Sequence, residues 1–227
     1  LKAVEDECIA DLTAKEKKAG LRFITDGEFR RATWHLDFMW AFEGIGHSAT
    51  EDGLPFHDEA AKIDDTYLTG KISLAGEHPF VEHFRFVQSF EDENTTAKLT
   101  IPAPAQFIEQ FIMPMNRKAT DAAYGNDALL EDDVVVAYLA FIEQVHAAGC
   151  RNLQFDDCSW GCLVDPKAEL FFGTDQAGLA RIKETLLRVN NRVLDAAPAD
   201  LCINTHVCRG NFHSTWACEG GYDDVAD

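Results

Sequence analysis

Positive charge is scarce in this chain. Its 227 residues carry 20 Lys and Arg against 39 Asp and Glu, a formal net charge of −19. Nucleic acids and anionic membranes call for a positive face, so neither is an expected partner, and the acid excess reads as a solvated surface. Long apolar runs are also missing, since none approaches the roughly 18 residues a spanning helix needs. Leu1 to Gly20 is charged and amphipathic rather than basic then apolar, so no signal peptide is read. No strand-like run leads into G-x-G-x-x-G, which argues against a dinucleotide-binding open sheet. Internal repeats and low-complexity tracts are absent. Cysteine is plentiful, but its seven copies are odd in number and irregular in spacing. That suits reduced thiols rather than a secreted disulfide framework. What remains is a soluble, cytoplasmic globular chain whose 46% hydrophobic content can fill one core, read as a single domain over residues 1–227.

What is present follows a repeated grammar. Lys2 to Ala19 has helical apolar spacing (Val4, Cys8, Ile9, Leu12) with Gly20 as its stop, then a short strand, Leu21 to Ile24, running into Thr25-Asp-Gly-Glu28-Phe-Arg-Arg31. A second helix starts at Glu131 to Asp133 and stops at Gly149, and the strand Asn152 to Phe155 ends in Asp156-Asp157-Cys158. A third runs from about Thr174 to Ala196, followed by the strand Leu201 to Ile203 and then Asn204-Thr-His206-Val-Cys208. Three times a helix precedes a strand whose C-terminal end carries reactive side chains. The expected class is α/β, most economically a TIM (β/α)8 barrel with its active face at those strand ends.

The middle is less regular. Trp34 to Gly53 reads as a loop or lid with short helices, and Thr66–Leu74 and Phe84–Phe90 read as strands paired in a hairpin. Together they form an insertion at about 34–98. Leu99 to Phe107 reads as another strand end, because prolines do not fit a central ladder. This makes four or five barrel strands rather than eight. The chain opens without Met inside a helix and stops at an apparent helix start, Tyr222 to Asp227, so it reads as a piece of a longer chain. An open barrel edge predicts a homo-oligomer or poor solubility.

Three strand ends carry candidate chemistry. In Thr25 to Arg31, Glu28 could bind an amine or act as a base, with an arginine holding a substrate carboxylate; the alternative is a surface ion-pair cluster. Asp156 and Asp157 repel one another if both are buried, so one of them needs a cation, an amine or a helix N-terminus; Asp157 as a helix cap is the plain alternative. His206 and Cys208 lie two apart on an extended backbone and can converge as zinc ligands, or they are a core thiol and a hydrogen-bonded imidazole. His213 and Cys218 are weaker candidates. Cys202 is set aside as facing the opposite side or lying deeper, and Cys158 with Cys162 reads as packing.

Taken in order, T-D-G-E-F-R-R, Ile101-Pro-Ala-Pro, L-Q-F-D-D and N-T-H-V-C-R-G-N resemble cobalamin-independent methionine synthase, and more closely the short single-barrel relatives of its C-terminal catalytic domain. Uroporphyrinogen decarboxylase is a neighbouring barrel family without the H-x-C zinc pair. The resemblance implies a zinc-dependent S-methyltransferase of the methionine-forming type. His206 and Cys208 would be two Zn2+ ligands, with the remaining ligands, a Glu and a Cys, beyond residue 227. Glu28 and Asp156 would hold the amino group of a homocysteine-like thiol. The expected partners are that small-molecule thiol and a methyl donor, either a methylated folate or another methyl carrier. The alternatives are a related barrel enzyme alkylating another thiol, or a catalytically incomplete α/β scaffold or binding protein.

Overall fold

Helix ends set the chain's rhythm. In the computed structural model, which describes residues 1–50 and 53–226, α1 (Lys2–Lys18) ends where Gly20 N–H bonds Lys17 O and Leu21 N–H bonds Glu16 O. This closure needs the left-handed conformation that Gly20 adopts at φ 83°. The chain then enters β1 (Phe23–Ile24), the short α2 (Leu36–Met39), β2 (Glu43–Ser48), β3 (Leu54–Pro55), β4 (Ala60–Ala61) and β5 (Asp65–Ser73). Next come α3 (Pro79–Gln88), β6 (Thr96–Ala97), β7 (Leu99–Pro102), α4 (Pro104–Ile112), α5 (Arg117–Ala123) and α6 (Asp127–Ala147). The last elements are β8 (Asn152–Asp156), α7 (Ser159–Leu163), α8 (Ala168–Phe172), α9 (Gln176–Ala196) and β9 (Cys202–His206), followed by one 3-10 turn, Asp223–Val225.

Two expectations for the middle fail. Phe84–Phe90 is not a strand: Phe84 to Gln88 lies in α3, and Ser89 caps it. His78 caps this helix by accepting from Phe80 N–H, Pro79 occupies its first turn, and Phe80, Val81, Phe84 and Val87 form a buried stripe at helical spacing. The antiparallel partner of β5 is instead β2, with Ile45 opposite Leu68 and His47 opposite Thr66. Thus Trp34 to Gly53 contains a strand as well as the short helix; within it, Glu51 and Asp52 lie outside the described residues. At the far end, the helix start read at Tyr222 is only the 3-10 turn, and Asp227 lies outside the described residues.

The parallel strands follow chain order. β7, β8 and β9 form a parallel three-stranded sheet, and β1 pairs in parallel with β6. Only Lys98 separates β6 from β7, and its N–H donates to Ile24 O at 2.9 Å, so the run from Thr96 to Pro102 links the two sheets. The class is α/β, and among the described residues no sheet closes on itself. Leu99, Ile101, Leu153 and Phe155 bury one face of the three-stranded sheet in a core shared with α4, α6 and α9. Thr100, Gln154 and Asn204 stand level on its other face.

Cross-ties hold the strand ends still. The Tyr138 hydroxyl on α6 donates to Pro102 O (2.9 Å) and Ala103 O (3.1 Å). Asn190 on α9 accepts from Ala105 N–H and donates to Asp157 Oδ2, both at 2.8 Å. Among the described residues no helix is long and apolar enough to cross a membrane.

Candidate functional site

The register of the sheet builds the site. Pro102, Asp156 and His206 stand opposite one another at the C-terminal ends of β7, β8 and β9. Backbone bonds extend the ladder past the strands: Ala103 N–H donates to Asp156 O and Asp157 N–H to His206 O. Side chains two residues apart along a strand share a face, so Gln154 and Asp156 point together, and Gln154 Nε2 donates to Asp156 Oδ1 at 2.7 Å. Gln154 Oε1 in turn accepts from Lys98 Nζ (2.8 Å) and Asn204 Nδ2 (3.2 Å). Burial pushes the Asp156 carboxyl above its ordinary range. The Gln154 bond and the charges of His206 and Arg31 oppose this, while Glu28 adds to it. These couplings put Glu28, Arg31 and His206 within electrostatic reach of Asp156.

Glu28 is held in a left-handed backbone conformation at φ 61°, a region costly for a residue with a Cβ. Its Oε1 accepts from the Thr100 hydroxyl at 2.7 Å and from Arg31 Nη1 at 3.0 Å. The two arginines are tied to neighbouring groups. Arg31 is 1% exposed and donates to Thr100 O at 2.8 Å, with its guanidinium 4.4 Å from the centre of the Phe80 ring. Arg30 pairs with Glu5 and Asp6. The Arg30 guanidinium and Arg31 Nη1 and Nη2 bond the protein's own groups, while Arg31 Nε is buried without a hydrogen-bond partner. Their work is to fix the loop that carries Glu28.

Asp157 takes neither of its two readings. It is fully buried and accepts from the Ser159 hydroxyl, from Trp160 Nε1 (2.8 Å) and from Asn190 Nδ2 (2.8 Å). Neutral donors satisfy it, and no cation does. It fastens the start of α7, where Cys158 rather than Asp157 is the capping residue.

The thiols hold the main surprise. Cys158, read as packing, has its Sγ 3.1 Å from Cys208 Sγ. The same offset explains it, because Asp156 faces His206 and each cysteine lies two residues further on. The pair is asymmetric. Cys208 is pulled below the ordinary thiol range, first by its bond with Cys158 and further by the Gly210 N–H and His206, against the opposing effect of burial. Cys158 is pushed up for the converse reason and by burial. Behind them, Cys162 Sγ lies 3.3 Å from Cys218 Sγ and bonds the carboxyl of Glu109, whose pKa burial pushes up to about 8. Gln106 connects the two levels, donating to Glu109 and accepting from Cys158 N–H.

Of the weaker candidates, Cys218 is therefore occupied by Cys162, and His213 turns outward to Glu59 at 3.2 Å. Cys202 does not face the opposite side: it shares the parity of His206, but it is exposed at the other end of β9, level with Asn152. Among the described residues no three His, Cys, Asp or Glu side chains converge as a metal-binding group. An imidazole and an anion-leaning sulfur at one strand mouth do suit zinc as two of its donors.

No family model matches the chain. It is similar to two uncharacterized proteins of Bacillus subtilis, YxjG and YxjH. Each is 36% identical, over 231 and 230 residues, and the match takes in 100% of this chain and 58% of each relative. The chain thus spans little more than half the length of the curated relatives it matches. Among solved structures it resembles a Listeria monocytogenes protein provisionally described as a vitamin-B12-independent methionine synthase. The TM-score is 0.69 at 30% identity, covering 92% of this chain and 56% of that one. A B12-independent methionine synthase from Shewanella sp. W3-18-1, solved with selenomethionine, shares the fold at a TM-score of 0.63 and 16% identity. It is covered over 91% of this chain and 52% of its own.

Proposed function

We propose that this chain carries the thiol-binding half of a zinc-dependent methyltransferase site of the methionine synthase type, in a (β/α)8 barrel. The carrying observation is the alignment of Asp156 with His206 across β8 and β9, with Glu28 electrostatically coupled to Asp156. In this reading a homocysteine-like substrate lays its ammonium between Glu28 and Asp156. A positive group there offsets the desolvation of Asp156 and the repulsion between the two carboxylates. Thr100, Arg31 and Gln154 hold the two carboxylates in place before the substrate arrives, which lowers the entropic cost of alignment.

His206 and Cys208 are the proposed zinc ligands in this chain. Zinc, when bound, would supply the charge that keeps a substrate thiol as a thiolate at neutral pH. Glu28 and Asp156 would then orient that substrate so that its sulfur faces a methyl donor, a methylated folate or another carrier. The test is zinc content together with homocysteine methylation, measured on the full-length protein and on its Cys208→Ala variant. About one zinc per chain and methionine formation, both lost in the variant, are expected. A zinc-free, inactive parent protein would overturn the reading.

A further inference from the structure

Two thiol pairs clasp the segment after β9 to α7. Cys158 and Cys162 are four apart, so they share a side of the α7 turn. They meet Cys208 at 3.1 Å and Cys218 at 3.3 Å, sulfur to sulfur. The backbones are seated closely as well: a Cβ on Gly161 would lie 2.5 Å from Cys208 O. Asp165 Oδ2 accepts from Glu219 N–H at 2.7 Å. All four cysteines are free thiols. The pairs differ in access, because Cys158 and Cys208 are both half-buried whereas Cys218 is buried. Neither Cys158 nor Cys208 lies within a strand. Cys158 caps α7 and Cys208 follows β9 by two residues, so closing the sulfur gap by about 1 Å to disulfide length breaks no ladder.

We propose that Cys158 and Cys208 are a two-electron oxidation site that closes to a reversible disulfide when the chain meets a peroxide. The Cys208 sulfur attacks one peroxide oxygen. The O–O bond breaks, one water leaves, and Cys208 becomes a sulfenic acid. The Cys158 sulfur then attacks the Cys208 sulfur, forming S–S and breaking S–O, and the hydroxyl departs with the thiol proton as a second water. Two thiols lose two electrons and two protons, and one peroxide becomes two waters. The deeper Cys162–Cys218 pair stays reduced. On the methyltransferase reading, this disulfide would occupy the very sulfur that zinc requires and so switch the site off. The disulfide itself needs only the two thiols.

The experiment treats the metal-free chain with hydrogen peroxide, alkylates the remaining thiols and maps the peptides. The thiol titre should fall from seven by two. One linked peptide pair should join Cys158 to Cys208, and dithiothreitol should restore the titre. In Cys158→Ser the link should vanish and Cys208 should be trapped by dimedone as a sulfenic acid. An unchanged titre would overturn the proposal, as would a link to exposed Cys8 or Cys202 or a Cys208 sulfenic acid persisting beside free Cys158 in the unsubstituted chain. The mapping on the unsubstituted chain needs no variant to fold. Zinc content of the reduced protein is a separate readout: its absence defeats the methyltransferase reading and leaves the disulfide standing, whereas a missing link defeats the disulfide and leaves zinc binding untouched.

Discussion

Asp156 and His206 face one another across adjacent parallel strands, and that single pairing generates the rest of the site. It brings Cys158 to Cys208 by an equal step of two residues. It also sets Asp156 in the electrostatic field of His206, Arg31 and Glu28. Four stretches far apart in the chain thereby share one strand mouth.

The first prediction concerns the Asp156 carboxylate, proposed to hold the substrate's ammonium. Asp156→Asn keeps the shape and the Gln154 neighbour but removes the charge proposed to hold an ammonium. In the full-length protein KM for the amino-acid thiol should rise about tenfold, the equivalent of one lost charge-assisted hydrogen bond. Steady-state kinetics with and without the amino group on the thiol measures it. Equal effects on both thiols would refute the assigned role.

Arg31 should matter for stability. Arg31→Met removes the guanidinium that donates to Glu28 Oε1 and to Thr100 O and forfeits the Phe80 ring contact. A loss of about 2–3 kcal/mol is expected, read from urea unfolding. A change under 0.5 kcal/mol, the ordinary range for surface substitutions, would mean that the loop does not depend on it.

His78 predicts an acid-side loss. Burial lowers its pKa from 6.5 to about 4, and its ring is committed as a neutral group, with Nε2 donating to Phe38 O and Nδ1 accepting from Phe80 N–H. The unfolded chain binds the proton first, so this stabilising contribution is full above the unfolded pKa and drains away as pH falls from about 6.5 towards 4. In His78→Asn, whose amide caps α3 without titrating, unfolding free energy should change less over that window.

Glu109 predicts the opposite slope. With its pKa raised to about 8 by burial, it stays protonated in the fold while the unfolded side chain ionises near 4.5. Its contribution is full below the unfolded value and is lost as pH rises through about 8. Glu109→Gln should therefore unfold at higher urea than the unsubstituted chain at pH 8, and the advantage should shrink towards pH 5. A gain independent of pH would count against a protonated Glu109.

Much of this was legible in the chain itself. Helix periodicity, the stops at Gly20 and Gly149, and apolar runs ending in polar clusters announced the parallel strands and their order. Local chemistry decides such features, since a capping glycine or an alternating strand acts within a few residues. The failures also have local causes. Phe84–Phe90 is rich in residues that suit strands, and its membership in α3 is signalled only upstream, by the His78–Pro79 cap.

Local sequence places Glu28, Asp156, Asp157, His206 and Cys208 at or just beyond strand ends. Their division of work arises only in the folded chain. Asp157 turns inward to Asn190 of α9, the arginines pair with acids near them, and Cys158 meets Cys208 fifty residues away in the chain. A side chain's periodicity is written in its immediate neighbours. Its charge state and partners depend on desolvation and on distances across strands, which exist only once the register is formed.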